Sequence, residues 1–261
     1  MKIIKGNIIE SISLKEVRLI SNGGILIDEN GTIVEVLEKI PENTSYEIED
    51  YGDKLIMQSF CDMHLHAPQY PMLGMGMDLP LIDWLNNYAF KVESAFKDVD
   101  FARKIYKNLA QELIRNGTTR VCMFSSLHVD ATLVLMEELE KAGVTGYVGK
   151  VNMDRNSVPE LSETSEESYE ETLRWIKESK RFKHIKPIIT PRFTPSVTNE
   201  LMEKLGKFAK EQNLLVQSHL SENHGEIECV KELHPDCEQY WETYFKYGMW
   251  KEKTLMAHCV H

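Results

Sequence analysis

Two histidines one residue apart, His64 and His66, end a mostly apolar segment whose run Leu55–His64 is typical of a buried strand. Side chains at positions i and i+2 of a strand point to the same face, so both imidazoles can reach one metal ion. The C-terminal ends of strands are also where (β/α)8 barrels carry their catalytic residues. Taken alone, a His-x-His pair is equally compatible with an ordinary turn, so the other motifs have to decide.

Two further histidines end strand-like runs later in the chain. His219 closes the run Leu214–His219, and His258 closes Thr254–His258. A single histidine at a strand end is more often a hydrogen-bonded core or loop residue. Four histidines at the same end of parallel strands instead favour a metal site, since neutral imidazoles bind Zn²⁺ and also accept Fe²⁺.

Glu222 follows His219 by three residues, just past the strand end. A carboxylate at that place can act as a general acid and base in metal-assisted hydrolysis. The alternative is an acidic residue that stabilises the first turn of a helix through the helix dipole. Beside His219, we favour the catalytic role.

The segments that must position these residues alternate between strand and helix from about residue 55 onwards. Alternating βα units predict a parallel sheet, and a closed barrel needs eight of them, whereas about six are present. The predicted fold class is therefore α/β, a (β/α)8 TIM-barrel type of about six units, and the histidines with Glu222 add the expectation of a metal-dependent hydrolase. The predicted strands are Leu55–His64, Thr119–Phe124, Gly146–Val151, Ile185–Thr190, Leu214–His219 and Thr254–His258; the predicted helices are Leu81–Phe96, Phe101–Asn116, Asp130–Ala142, Glu166–Ser179, Thr198–Gln212 and Glu226–Tyr247.

The first 54 residues differ from the rest of the chain. They contain short β-rich runs separated by turn signals, of which Asn30-Gly31 is the clearest because this pair suits a tight hairpin. We predict a small β-rich domain over residues 1–54 and a partial barrel domain over residues 55–261.

Composition excludes several classes of partner. The net charge of −11 over 261 residues makes nucleic acid and anionic membranes poor partners, and no run is long and apolar enough for a membrane span. The number of cysteines, five, is odd, and they include no Cys-x-x-Cys motif. This argues against a disulfide framework and favours a cytoplasmic location for the protein. A periplasmic-type binding protein is disfavoured by the four histidines.

The histidine pattern resembles the metal site of the amidohydrolase superfamily, and four segments resemble its guanine deaminase family in particular. The resemblance covers essentially the whole chain. It is carried by Asp62–Tyr70, Met77–Leu81 with Trp84 and Leu85, Ile189–Ser196, and Gln217–Asn223.

This resemblance implies hydrolytic deamination of guanine to xanthine and ammonia at a Zn²⁺ site, with Fe²⁺ as an alternative metal. It implies that Glu222 shuttles protons and that His258 is a ligand or polarises the attacking water. Without the resemblance, the simplest interpretation is that Gln69 is a turn residue, Arg192 a surface cation and Phe193 a residue of the hydrophobic core. The implied metal ligands are His64, His66, His219 and His258, and the implied contacts to guanine are Gln69, Arg192 and Phe193.

The chain departs from the family pattern at its C-terminal side. The family carries a further metal-site aspartate on the eighth strand, and no aspartate here matches it. Asp62 is no substitute, because it lies on the first strand. We therefore expect a longer parent chain, and a homodimer as is common in the family. The alternatives left open are another amidohydrolase-type deaminase or chlorohydrolase, and a catalytically incomplete metal-binding fragment. A cytidine-deaminase-like site is disfavoured because its His-x-Glu and Pro-Cys-x-x-Cys signature is absent.

Overall fold

The structure is a computed structural model that describes residues 1–261. Its internal contacts divide the chain into two units, Met1–Ser59 and Phe60–His261. The predicted strand Leu55–His64 is interrupted at this division, because one strand ends at Met57 and the next begins at Phe60.

The N-terminal unit is a sheet of four strands, β1 (Lys2–Ser13), β2 (Glu16–Ile27), β3 (Ile33–Leu37) and β4 (Glu47–Met57). The spatial order is β3-β2-β1-β4, with β1 parallel to β4 and the other neighbours antiparallel. The sequence pattern predicted only the end of β4, Leu55–Met57, because most side chains of this strand are exposed and several are charged. It is paired to β1 by backbone bonds and by the ion pair between Lys2 and Glu49.

The second unit carries parallel strands in the order of the chain. These strands are β5 (Phe60–His66), β6 (Thr118–Phe124), β7 (Thr145–Gly149), β8 (Val151–Asn152), β9 (Ile185–Pro187), β10 (Thr190–Pro191), β11 (Val216–Leu220) and β12 (Thr254–His258). β6 lies between β5 and β7, and β7 also pairs with β9. A bridge from Ile189 to Val216 continues the arrangement to β11, which pairs with β12.

Helices connect the strands and cover the sheet with apolar faces. Two helices begin with a capping box, one at Thr164 and one at Asn223. In each, the side chain of the capping residue accepts from the backbone of the third helical residue, whose glutamate side chain accepts from the backbone of the capping residue. The helices are α1 (Leu81–Trp84), α2 (Phe90–Ser94), α3 (Val99–Arg115), α4 (Val129–Lys141), α5 (Ser165–Ser179), α6 (Asn199–Glu211), α7 (His224–Leu233) and α8 (Glu242–Lys246). A π-helical turn, Leu85–Ala89, joins α1 to α2 so that Leu81–Ser94 is one continuous helical segment.

Three further predicted elements are split in the structure. The run Gly146–Val151 is divided at Lys150 between β7 and β8. The run Ile185–Thr190 is divided after Pro187, which has no N–H to donate to a ladder. The predicted helix Glu226–Tyr247 is two helices, because Pro235 and the residue before it disfavour helical continuation.

The α/β class with a parallel sheet is confirmed by the strand pairings of the second unit. The carboxyl ends of β5, β11 and β12 carry the four histidines singled out above. None of the helices is both long enough and apolar enough to cross a membrane.

Candidate metal centre and active site

The four predicted histidines lie together at the carboxyl ends of three strands. Ring centroids are 5.3 Å apart for His64 and His66, and 4.9 Å apart for His66 and His219. The ring of His258 lies 5.0 Å from that of His64 and 5.5 Å from that of His219. One nitrogen from each of His64, His66 and His219 lies within 4.8 Å of the others, close enough for three ligands of one ion.

The orientation of His219 is set by the backbone around it. Its Nδ1 lies 2.6 Å from the carbonyl oxygen of Arg192, and a carbonyl only accepts, so Nδ1 carries the proton. Its Nε2 therefore presents a lone pair, and it lies 2.9 Å from Nε2 of His66. Tyr244 fixes the strand by donating its hydroxyl to the carbonyl of His219 at 2.7 Å. An imidazole held through its other nitrogen is the usual arrangement at protein metal sites.

The environment keeps these imidazoles neutral. Burial, followed by the nearby His258, lowers the pKa of His64 to about 4. Burial also lowers the pKa values of His66 and His219 well below the ordinary range. Neutral imidazole is the form that binds a metal. In addition, Nδ1 of His66 is buried and has no hydrogen-bond partner in the protein. The donor set therefore fits a divalent metal of the Zn²⁺ type.

Glu222 stands beside the histidines. Its Oε2 lies 3.4 Å from Nε2 of His258, and burial raises the pKa of the Glu222 carboxyl. The backbone here is strained, because Ser221 and His258 adopt left-handed φ angles of 52° and 71° without being glycine. Such conformations persist where the surrounding structure imposes them, and they cluster at functional sites.

A cavity of about 160 Å³ opens onto the histidines. A cavity of roughly 150 Å³ accommodates one small aromatic ring, so this one suits a flat heterocycle that is partly open to solvent. All eight residues singled out from the sequence line it, together with three apolar side chains. The lining residues are His64, His66, Gln69, Leu81, Trp84, Leu85, Arg192, Phe193, His219, Glu222 and His258.

One buried residue of the site was missed by the sequence analysis. Glu93 is 1% exposed and forms a two-pronged ion pair with Arg192, at 2.5 Å and 3.0 Å. The same carboxylate accepts a hydrogen bond from Nε2 of Gln69 at 3.0 Å. Arg192 is thus a buried, paired cation and not the surface cation that its residue type alone would indicate. A helical carboxylate is normally exposed, so the sequence offered no signal for Glu93.

The comparisons with known proteins agree with this geometry. The model of the amidohydrolase family matches residues 55–261. The chain belongs to the amidohydrolase family. Members of this family are metal-dependent, which agrees with the imidazole cluster.

The similar proteins include several guanine deaminases. That of Dictyostelium discoideum is 40% identical over 280 residues, covering 100% of this chain and 62% of the relative. That of Rattus norvegicus is 45% identical over 208 residues, covering 78% of this chain and 46% of the relative. The crystal structure of guanine deaminase from C. acetobutylicum with bound guanine in the active site superposes with a TM-score of 0.96 at 44% identity, covering 100% of this chain and 62% of that one. The chain thus spans about half to three fifths of the length of these relatives.

Proposed function

We propose that the protein is a guanine deaminase, which hydrolyses guanine to xanthine and ammonia with the help of a divalent metal. One observation carries the proposal: the histidine cluster lines the same small cavity as Arg192 and Gln69. The first supplies a place for metal-assisted hydrolysis, and the second supplies polar groups for a purine edge. The guanine deaminases among the similar proteins support the same substrate.

The proposed metal ligands are His64, His66 and His219, with His258 as a fourth ligand or as a neighbour that polarises the attacking water. We propose Zn²⁺, with Fe²⁺ as the alternative, because both accept imidazole nitrogen. When bound, such an ion acts as a Lewis acid that activates water for attack on C2 of the purine. The hydrogen bond from Nδ1 of His219 to the carbonyl of Arg192 holds this imidazole in the tautomer that a ligand needs.

The proposed substrate contacts are Arg192, Gln69 and Phe193. Arg192 has five N–H groups and donates two of them to Glu93, so others remain for the 6-oxo oxygen of guanine. Phe193 is buried and lines the cavity, where it can pack on the purine ring. Glu222 is the proposed proton carrier between the attacking water and the ring nitrogen next to C2. Burial raises the pKa of its carboxyl, and a general acid and base works better as its pKa moves towards the working pH.

The test compares three substrates, using protein that is purified from its native source and then loaded with zinc. Guanine, adenine and an ammeline-like triazine are offered, and ammonia release is measured. We expect turnover of guanine and none of adenine. Preference for another heterocycle would replace the proposal with another amidohydrolase-type deaminase or chlorohydrolase. Tight zinc binding without turnover of any of them would favour the catalytically incomplete metal-binding fragment.

Two further expectations stay predictions. A homodimer and a cytoplasmic location were expected from the family resemblance and from the cysteine pattern. Sedimentation equilibrium of the purified protein tests the first, and fractionation of the native source tests the second.

A further inference from the structure

Glu93 touches both side chains that are proposed to contact the edge of the purine. Its Oε1 accepts from Nε2 of Gln69 and from Arg192, each at 3.0 Å, and its Oε2 accepts from Arg192 at 2.5 Å. Glu93 is 1% exposed and Arg192 is 3% exposed, so this ion pair is shielded from water. Glu93 does not itself line the cavity.

The contact with Glu93 decides which way round the amide of Gln69 points. An ionised carboxylate can only accept hydrogen bonds, so the amide atom facing it must be the NH₂ nitrogen. The carbonyl oxygen of Gln69 is then the atom that the amide can offer to the cavity. Without the carboxylate, the amide could rotate by half a turn and present a donor instead.

Glu93 likewise decides which way the guanidinium of Arg192 points. A guanidinium is planar, and two parallel bonds to one carboxylate fix both its position and its plane. The guanidinium carbon lies 5.2 Å from the centre of the Phe90 ring, which supports that plane from one face. The cavity therefore meets donors from Arg192 beside an acceptor from Gln69.

We infer that Glu93 is a positioning residue that selects 6-oxo purines by fixing this donor and acceptor pattern. The inference rests on the proposed function and deepens it. Guanine offers an acceptor at O6 and a donor at N1–H, which complements the donors of Arg192 and the acceptor of Gln69. A 6-amino purine instead has a donor at C6 and an acceptor at N1, so it would leave buried polar groups of the site unpaired. A site built to hydrogen-bond its substrate strongly rejects an analogue that leaves such groups unpaired.

The test compares guanine with 2,6-diaminopurine, which carries the same C2 amino group but reverses the pattern at positions 6 and 1. In the wild type, kcat/KM strongly favours guanine. In Glu93→Gln, Gln69 can rotate and Arg192 loses its charged partner, so we expect the guanine preference to fall by about tenfold or more. Glu93→Asp retains an acceptor-only carboxylate and should restore part of the preference. Metal content, measured by atomic emission, should stay as in the wild type.

Glu163→Gln is the matched control. Glu163 pairs with the fully buried Lys150 at 2.7 Å, and neither residue lines the cavity. This variant should lose stability but keep the guanine preference. An equal preference in the wild type, Glu93→Gln and Glu163→Gln would overturn the inference, because Glu93 would then only stabilise the fold.

A second readout requires neither turnover nor a folded variant. Proton exchange of the Gln69 side-chain NH₂ is followed by NMR in the wild type and compared with that of the exposed Gln111. Slow exchange at Gln69 supports the bond to Glu93, and exchange as fast as at Gln111 overturns it. A wild type that does not deaminate guanine refutes the proposed function, and the exchange measurement then decides separately whether Glu93 orients Gln69.

Discussion

Glu222 is the residue whose chemistry can be tested most directly. We expect Glu222→Gln to lower kcat by about 10²–10⁴-fold, the usual contribution of a general acid and base, because an amide cannot carry the proton. Metal content should be unchanged, since Glu222 is not among the proposed ligands. The measurement is single-turnover deamination of guanine together with metal analysis.

The control for this variant is Glu228→Gln. Glu228 lies on α7, six residues further along, and its exposed side chain pairs only with Lys231. It should retain full activity. Wild-type turnover by Glu222→Gln would contradict the proton-carrier role, and a loss of metal in that variant would instead assign the carboxylate to the metal.

Most residues of the candidate site could be proposed from the sequence because they lie at or just past strand ends, next to recognisable motifs. His64, His219 and Glu222 occupy the places that parallel βα units reserve for chemistry. Glu93 could not be predicted, since its partner Arg192 is 99 residues away and meets it only in the folded chain. Buried ion pairs leave no periodic signal in the sequence.

At the scale of elements, hydrophobic periodicity predicted α3 to α6 to within two residues at each end. It could not predict every place where a strand is interrupted. Lys150 separates β7 from β8, and its buried ammonium group pairs with the carboxylate of Glu163, a contact that depends on tertiary structure. Pro187 and Pro235 interrupt two other runs, and these two signals were present in the sequence.

Gly206 in α6 gives a test of how closely that helix packs. Propensity alone predicts that Gly206→Ala stabilises the helix by about 1 kcal/mol. A Cβ at this place, however, would lie 1.9 Å from the carbonyl oxygen of Tyr247, just after α8. Backbone cannot rotate away as a side chain can, so we expect net destabilisation of about 1–3 kcal/mol in urea unfolding.

The control is Lys207→Ala, which changes the next residue of the same helix, where the side chain is exposed. Its effect should stay within about 0.5 kcal/mol. A Gly206→Ala variant that is more stable than the wild type would mean that α6 does not approach Tyr247 as described.

At the scale of the whole chain, the proposed metal joins strands that are far apart in the sequence. His66 and His219 are separated by 153 residues. A ligand that binds only the folded state stabilises it by about 4.1 kcal/mol at a thousand times its Kd, which raises Tm by roughly 10 °C in a chain of this size. We therefore expect a chelator to lower Tm by that amount, as measured by calorimetry.

His219→Asn should have the same Tm in its metal-loaded and chelated forms, whatever its own stability. His184→Asn changes an exposed histidine outside the cavity, so this variant should keep the Tm difference between the two forms. The same metal-dependent shift in His219→Asn and in the wild type would place the metal elsewhere.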